Sequence, residues 1–342
     1  MSARDAVGVT PLRVERLSAE EARARLMQGK ALGGLLYGND NVHDGLSNVG
    51  ARPVEPQAPR VDLWQTRDAA TSGELGCVRW RSDGHWTMGS IDLDETQASG
   101  DLAALAERAY SDLFQALDAT GCPHLQRLWN YLPQINGDGG GLERYRQFNL
   151  GRQQAFLEAG RAAFDGAPAA CALGIRKGSL GIRFLAGRHA PKPIENPRQV
   201  SAYRYPERYG PRAPTFSRAA LADVGDRQVA LFISGTASIV GHETVHVGDL
   251  AAQTQETLRN RAAVIDAAHA GSSARFALDT LDCVVYVRHA ADMPRVRELI
   301  GQALGASALT ARRAIYLEAD ICRQDLLMEI EAHAMAPGVL VE

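Results

Sequence analysis

The feature that most constrains this chain is an order of strand and helix patterns that occurs twice along its length. In the first half, the alternating segments CVRWRS and WTMGSIDL precede a helical pattern over 102–120, a strand-like LQRLWNYLPQIN and a helix beginning near Leu142. In the second half, QVALFISGTASIV precedes helical patterns over 250–269 and 293–304, which flank the strand-like DCVVYVRHA. We therefore predict an α/β (α+β) chain of two divergent copies of one unit, with mixed sheets packed by helices.

Composition and patterning divide the 342 residues into four parts. Residues 1–70 hold one short helical stretch among turns and prolines, so we expect an irregular N-terminal lead-in. The first unit then covers 71–190 and the second covers 221–342. Between them, 191–220 is a connecting segment rich in proline, tyrosine and arginine. Because linkers are usually polar, this segment is either a structured binding loop or a plug between the units.

Charge and cysteine content exclude several classes of protein. The chain has 37 Lys and Arg against 40 Asp and Glu, a net charge of -3, which lacks the basic footprint of a nucleic-acid binder. No apolar run is long enough to span a bilayer or to serve as a signal peptide, so we expect a cytoplasmic protein without membrane contact. The five cysteines are widely spaced without a C-x-x-C pair, so neither disulfides nor a thiolate zinc site are predicted.

The motifs of metal and nucleotide enzymes are poorly matched. The segment 242–246 has the H-E-x-x-H pattern of zinc peptidases, but it stands between glycines and contains adjacent β-branched residues. It is typical of turn and strand, where residues four apart lie roughly 13 Å from each other, too far to share one zinc ion. Since serine-hydrolase and P-loop signatures are also absent from the sequence, we expect neither a metal nor a cofactor.

Arginines in apolar or aromatic surroundings are the best candidates for binding an anion. Their planar guanidinium forks suit carboxylates, and two or three of them would hold a small dicarboxylate. The group comprises Arg144, Arg146, Arg152, Arg204, Arg212 and Arg218. From their local context we single out Arg152, which follows a glycine, and Arg212, which lies in a tyrosine- and proline-rich turn.

Two acids alternate with apolar residues near the end of the chain, in Met328-Glu329-Ile330-Glu331-Ala332. In a strand, Glu329 and Glu331 point to the same face. That face is either a solvated edge or the wall of a pocket. The pattern alone favours the solvated edge.

Several strings together resemble one family. ISGTASIV, VVYVRHAADMPRV and LLMEIEAHA are similar to the RidA/YjgF fold, whose small α/β members form trimers. RLWNYLPQIN, LERYRQFNLGR, IENPRQVSAYRYPERYGPRAP, FISGTASIVGHETVHVGD and DICRQDLLMEIE resemble the chorismatases over roughly residues 125–335. This resemblance implies two RidA/YjgF-like units in one chain with the active site between them. It also implies chorismate as the small-molecule substrate and a monomer with a pseudo-oligomeric internal arrangement.

The resemblance also implies roles for individual residues. The catalytic acid of the family matches Glu329, which would protonate the methylene of the enolpyruvyl ether and needs a raised pKa to do so. Glu331 is the competing assignment. Gly235, Cys322 and Gln199 match the members that form 3-hydroxybenzoate and pyruvate, with Cys322 assisting aromatisation.

The remaining predictions concern substrate binding and other activities. Arg152 and Arg212 are the expected carboxylate ligands, and the expected hydrogen-bond partners are Tyr131, Tyr203, Tyr205 and Tyr209. One alternative is hydrolysis of chorismate to a dihydroxycyclohexadienoate, or mixed release of 3- and 4-hydroxybenzoate. Another class of alternative is a RidA-like imine deaminase or a small-ligand binding protein. A deaminase would not need the tyrosine- and arginine-rich stretch 203–212.

Overall fold

The structure is a computed structural model that describes residues 9–38, 45–54, 59–96 and 101–341. Within these residues, one four-stranded sheet, two seven-stranded sheets and one two-stranded hairpin make up the β structure. None of the helices described is long and apolar enough to cross a membrane.

The N-terminal part of the chain forms a sheet of its own. Its elements are β1 (Leu12–Ser18), α1 (Ala19–Met27), β2 (Ala31–Tyr37), β3 (Leu46–Asn48), β4 (Arg52–Pro53) and β5 (Arg60–Thr66). The order β1-β5-β2-β3 defines the N-terminal sheet. This corrects the expectation of an irregular lead-in over 1–70, of which residues 1–8, 39–44 and 55–58 lie outside the described part. Strand β2 is buried along its whole length, so it lacks the alternation by which a half-buried strand is recognised.

The first unit contains strands on one side of two packed helices. Its elements are β6 (Thr71–Leu75), β7 (Val78–Ser82), β8 (Trp86–Leu93), α2 (Leu102–Thr120), β9 (His124–Pro133), α3 (Arg144–Glu158), β10 (Ala169–Ile175) and β11 (Leu180–Gly187). The order β10-β9-β11-β8-β7-β6, continued beyond β10 by a seventh strand from the C-terminal part of the chain, defines the first-unit sheet. Helix α2 has the predicted bounds because Asp101 caps its first turn and Gly121 ends it in the left-handed conformation.

The connecting segment leads into the second unit. It holds β12 (Lys192–Ile194) and two short 3₁₀ turns, Ala202–Arg204 and Glu207–Tyr209. The second unit follows with β13 (Ala219–Asp223), β14 (Gln228–Thr236), β15 (Ile239–Val240), β16 (Glu243–Thr244), α4 (Leu250–Gly271), β17 (Asp282–Val287), α5 (Met293–Leu304), α6 (Leu309–Arg313), β18 (Ile315–Glu318), β19 (Asp320–Ile321) and β20 (Met328–Pro337). The order β12-β13-β14-β20-β17-β18-β4 defines the second-unit sheet.

The inner faces of the three sheets pack on one another, and the helices cover the outer faces. Trp64, Trp129 and Phe232, one from each sheet, share the central core, with the Trp64 and Phe232 ring centroids 5.7 Å apart. Helices α2 and α3 pack outside the first-unit sheet, while α4 and α5 pack outside the second-unit sheet. The predicted fold class, two α/β units with mixed sheets packed by helices, is confirmed.

Arg16 forms a buried ion pair with Asp62 inside the N-terminal sheet and also links that sheet to the second unit. The Arg16 guanidinium donates to both Asp62 carboxylate oxygens, at 2.7 and 2.8 Å, and to the main-chain oxygens of Cys283 and Arg313. Burial alone would raise the pKa of Asp62, but the Arg16 charge overcomes that effect and lowers it. The ionised pair is therefore part of the folded state at neutral pH.

Replacing one partner of this pair tests its contribution to stability. Asp62→Asn leaves the buried Arg16 charge with only the more distant Asp282 carboxylate, at 3.9 Å, and we expect a loss of about 3 kcal/mol in the free energy of unfolding, measured in urea at pH 7. Because the folded pKa of Asp62 is lowered, the wild-type advantage is present above the unfolded pKa of about 3.9 and is lost as the pH falls through the folded value.

The matched control is Glu298→Gln, which breaks the exposed pair that Glu298 makes with Arg295. We expect it to change stability by less than about 0.5 kcal/mol. Equal losses in the two variants would contradict the role assigned to the buried pair.

Candidate active site

Strand β20 places two carboxyl groups in the interior of the protein. It lies between β14 and β17, and Glu329 and Glu331 are each only 3% exposed. Both side chains point to the inner face, while Met328 and Ile330 join the core under the helices. The solvated edge that the pattern favoured is therefore wrong, because alternating acids look the same in a sequence whether their face meets water or another sheet.

The two acids have different surroundings. Arg127, on β9 of the first unit, donates to Glu331 Oε2, and the Tyr286 hydroxyl donates to Oε1 at 2.7 Å. The Tyr131 and Tyr286 hydroxyls are hydrogen-bonded at 3.0 Å. A carboxylate held by a guanidinium and a phenol is a fixed negative charge, so Glu331 is poorly suited to donate a proton.

Glu329 has the opposite character. Within the described part of the chain, no hydrogen bond or ion pair occupies its carboxyl group. Burial, and then the neighbouring Glu331 charge, raise the pKa of Glu329 to about 8 against the lowering effect of Arg127 and Arg218. The group is therefore mostly protonated at neutral pH and available as an acid.

Gly235 makes room for this carboxyl group. It lies where the pairing of β14 with β20 shifts register, between Ile233 and Thr236. A Cβ atom at position 235 would overlap the Glu329 carboxyl and come within 3.2 Å of the Cys171 Cβ. The structure thus brings Gly235 and Glu329 together across two neighbouring strands.

Cys322, which follows β19 directly, also lies near the Glu329 carboxyl group. This strand belongs to the C-terminal part of the chain but pairs with β10 of the first unit, with Ile321 opposite Leu173. Burial, and then the charge of Glu329, raise the pKa of the Cys322 thiol to about 12. The sulfur is therefore a neutral thiol at neutral pH, suited to donate a proton and poorly suited to act as a nucleophile.

Arg152 is a buried cation whose guanidinium is largely unsatisfied. It is 1% exposed on α3 and lies over the rings of Tyr110 and Phe156, at 5.4 and 5.7 Å from their centroids. Its Nε and Nη2 have no hydrogen-bond partner among the described residues. Its charge acts on Tyr145, which also feels Cys322 and Glu329, so the cation lies on the side of the site formed by α3.

A second cation near Glu329 is Arg218, which the sequence reasoning did not single out. Its Nη2 donates to the Tyr205 hydroxyl at 2.7 Å and to the Val200 oxygen at 2.8 Å. Its charge lowers the pKa values of Glu329 and Cys322, and the partly buried Glu195 also feels it. Arg218 immediately precedes β13, and its neighbours Phe216 and Ala219 gave the only signal in the sequence, an arginine in apolar surroundings.

Arg212 lies at the protein surface, next to helix α3. Its side chain is exposed and donates to Gln153 Oε1 at 3.2 Å. The structure therefore places Arg152 and Arg218, and not Arg212, in electrostatic contact with the residues around Glu329.

The tyrosines of the connecting segment lie in two places. Tyr205 and Tyr209 contact Arg323 at the rim of the site, next to Cys322, and Tyr203 contacts Arg204. The Arg323 guanidinium lies over the rings of Tyr205 and Tyr209, at 5.0 and 4.2 Å, and donates to the His242 oxygen at 2.8 Å. Tyr203 has the Arg204 guanidinium over its ring, at 5.8 Å. The segment is thus a structured loop that contacts the β15–β16 hairpin through Tyr209 and Arg323.

Gln199 and the H-E-x-x-H string support the same hairpin. Gln199 Nε2 donates to the Ile239 oxygen at 2.9 Å and does not contact Glu329 among the described contacts. The string forms strand β16 and a turn in which His246 has a φ of 60°, as expected from its flanking glycines. Glu243 pairs with Arg208, so the pattern of a zinc helix is not formed.

Sequence reasoning missed several groups that surround the two acids, namely Arg127, Tyr145, Cys171 and Tyr286. A signal existed for Arg127, since an arginine at an inward position of an apolar strand demands a buried partner. No such signal marked Cys171 or Tyr286, whose roles depend on which strands become neighbours.

Known proteins share this sequence and architecture. The family model described as chorismatase FkbO/Hyg5-like, N-terminal, matches residues 62–186. A 3-hydroxybenzoate synthase of Streptomyces hygroscopicus is 41% identical over 82% of this chain and 84% of its own length. A chorismatase of Streptomyces rapamycinicus is 39% identical over 79% and 81%. The crystal structure of a chorismatase superposes with a TM-score of 0.83 at 31% identity, covering 96% of this chain and 100% of that one.

The assignment of proton and charge to the two acids can be measured directly. We expect carboxyl ¹³C NMR to show Glu329 titrating near pH 8, with Glu329→Gln identifying the signal. In Glu331→Gln the negative neighbour is gone while Arg127 remains, so the midpoint should move down towards the ordinary value of about 4.3.

Tyr286→Phe is the control, because it removes a hydrogen bond to Glu331 and leaves the charge in place. The midpoint in that variant should stay within about one unit of the wild-type value. An unchanged Glu329 midpoint in Glu331→Gln would contradict the electrostatic coupling of the pair.

Proposed function

The chain belongs to the chorismatase family, and on that premise we propose that it converts chorismate to 3-hydroxybenzoate and pyruvate. The observation that carries the proposal is the buried, protonated Glu329 beside Gly235, Cys322 and unpaired cationic groups. Cleavage of an enol ether requires a proton on its terminal carbon, and a carboxyl group with a pKa near 8 holds that proton at neutral pH. The two relatives named as a 3-hydroxybenzoate synthase and a chorismatase support the substrate.

The proposed reaction begins at the enolpyruvyl arm. Glu329 donates its proton to the methylene carbon, which leaves an oxocarbenium ion. The ring hydroxyl then attacks the carbon that bears the arm, and the Glu329 carboxylate takes the hydroxyl proton, which regenerates the acid. The carbon–oxygen bond to the arm breaks, pyruvate leaves with that oxygen as its keto group, and an arene-oxide-like ring remains. No water is consumed, because chorismate has the summed composition of the two products.

Aromatisation completes the sequence. The epoxide oxygen takes a proton as its ring bond opens, and loss of the ring C–H proton gives 3-hydroxybenzoate. The neutral Cys322 thiol is suited to the first of these steps, as its pKa of about 12 keeps the proton on sulfur until an alkoxide develops. The Cys322 thiolate takes the proton removed from the ring, so the thiol is regenerated as well.

The cations complete the site. The two carboxylates of chorismate need charge-assisted hydrogen bonds, each contributing about 1.5–3 kcal/mol. Arg152 offers a buried guanidinium with free Nε and Nη2 donors, and Arg218 has a free Nε. We assign these two arginines to the two carboxylates, with Tyr205 and Tyr209 at the rim.

We further propose that the enzyme acts as a monomer in the cytoplasm. Arg127 and Glu331 come from different units of one chain, so a single chain supplies both sides of the site. All five cysteines are free, which suits a reducing compartment.

Replacing the acid tests the proposed function. Purified protein incubated with chorismate alone should release pyruvate and 3-hydroxybenzoate in equal amounts, identified by chromatography. Glu329→Gln cannot donate the proton, so we expect its kcat to fall by at least about 10²–10⁴-fold while its thermal unfolding stays cooperative.

Glu298→Gln, on the exposed surface, should leave turnover unchanged. Failure of the wild-type protein to release pyruvate would refute the assignment of chorismate cleavage.

A second experiment tests the control of the product. Cys322→Ala removes the proton donor, and Gly235→Ala places a methyl group against the Glu329 carboxyl. In the double variant we expect the product to shift from 3-hydroxybenzoate towards the dihydroxycyclohexadienoate that water attack would give. Cys77→Ala is the control and should leave the product unchanged, because Cys77 lies in the turn between β6 and β7, at the opposite end of the first-unit sheet from β10 and Cys322. If the double variant still forms only 3-hydroxybenzoate, the thiol and glycine do not select the product.

A further inference from the structure

The three junctions between the inner sheet faces are not equivalent. The junction of the first-unit and second-unit sheets holds Glu329. The junction of the N-terminal and second-unit sheets is closed by the hydrogen bonds of Arg16 to the Cys283 and Arg313 oxygens and by β4, which pairs with β18. The third junction, between the N-terminal sheet and the first-unit sheet, is an open cavity of about 870 Å³ formed by described residues.

This cavity does not include Glu329, although Tyr131, which is hydrogen-bonded to Tyr286 beside Glu331, lies in its wall. None of Glu329, Cys322, Gly235, Arg152 and Arg218 is among the residues that line it. Its volume falls in the range of about 300–1,000 Å³ that is typical of small-molecule sites. The cavity therefore has room for a metabolite of its own.

The walls combine an apolar floor with uncompensated positive charge. Leu32, Met88 and Ile175 supply apolar surface, and Arg81 and Lys177 supply cations. Arg81 donates only to neutral acceptors, the Ala31 oxygen at 3.2 Å and the Ser72 hydroxyl at 3.0 Å. Among the described residues, neither Arg81 nor Lys177 has a carboxylate partner.

Two other cations of the wall share one carboxylate, that of Asp92. Arg183 donates to Asp92 Oδ1 at 2.6 Å, and Arg79 donates to Asp92 Oδ2 at 3.3 Å. Glu74 is the other acid of the wall, so the described lining has four cations against two carboxylates. A negatively charged ligand is favoured over a neutral or positive one.

We propose that this cavity is a second binding site, which takes a ring-bearing organic carboxylate with its ring against Met88 and its carboxylate at Arg81. A guanidinium suits a carboxylate through charge-assisted hydrogen bonds, and the apolar floor suits an aromatic or alicyclic ring. The site does not depend on the reaction at Glu329.

The test uses benzoate as the probe and methyl-¹³C methionine NMR as the readout. Met88 lies in the cavity wall, and Met88→Leu identifies its signal. Titration of the wild-type chain with benzoate should shift the Met88 resonance in a saturable manner, and benzamide, which has the same ring without the charge, should not. Absence of a saturable Met88 shift, or an equal shift with benzamide, would overturn the proposal.

Substitutions locate the carboxylate. Arg81→Gln should weaken benzoate binding at Met88 about tenfold or more, and Lys177→Gln serves as a second variant at the rim. Arg152→Gln should leave the Met88 titration unchanged, because Arg152 lies outside the cavity, and the exposed Arg295→Gln should also have no effect. A Met88 response that is lost in Arg152→Gln and kept in Arg81→Gln would assign the binding to the Glu329 site and overturn the proposal. Since no chorismate is present, the outcome is independent of the proposed reaction.

Discussion

The structure around the site depends on burying two carboxyl groups two residues apart on one central strand. Like charges this close cannot both be ionised in a dry interior without a large cost. The protein resolves the conflict by giving every strong donor to Glu331, which receives Arg127 and the Tyr286 hydroxyl. Glu329 receives none of these donors and keeps its proton. The difference between the two acids thus comes from their neighbours, since both are glutamates on one strand with equal exposure.

This arrangement requires both units of the chain. Glu331 lies on β20 of the second unit, and its partner Arg127 lies on β9 of the first. Strand β19 adds a second link, since it belongs to the second half and pairs with β10 of the first. Neither unit alone could satisfy these buried charges, so formation of the site is coupled to the docking of the units. The packing of the three inner sheet faces is therefore a condition for the chemistry as well as for stability.

The parts of this fold that could be predicted from sequence are those whose local pattern has one meaning. The helices over 102–120 and 293–304 are amphipathic, and the structure gives them those bounds. The N-terminal sheet was not predicted because β2 is an uninterrupted apolar run. For Glu329 and Glu331 the shared face was correct and its surroundings were not, because alternation defines a face without telling what covers it.

The same limit applies to the arginines. Arg212 and Arg218 both follow the tyrosine-rich stretch, and nothing local distinguishes them. Arg218 is directed inward because it enters β13, a strand paired with the buried β14, whereas Arg212 lies in the exposed turn before it. Which arginine reaches the site is therefore decided by strand pairing, and the resemblance to a family could not replace that information.

The electrostatics of the site match the substrate proposed for it. Glu329 and Cys322 are both neutral near pH 7, and the Glu331 charge is compensated by Arg127. The charge left over is the buried Arg152, with Arg218 only partly balanced by the partly buried Glu195. Binding a dianion would neutralise these cations and would also raise the pKa of Glu329 further, because Arg218 lowers it in the free protein. The substrate would then strengthen the hold of Glu329 on its proton until the enol ether carbon is in place to accept it.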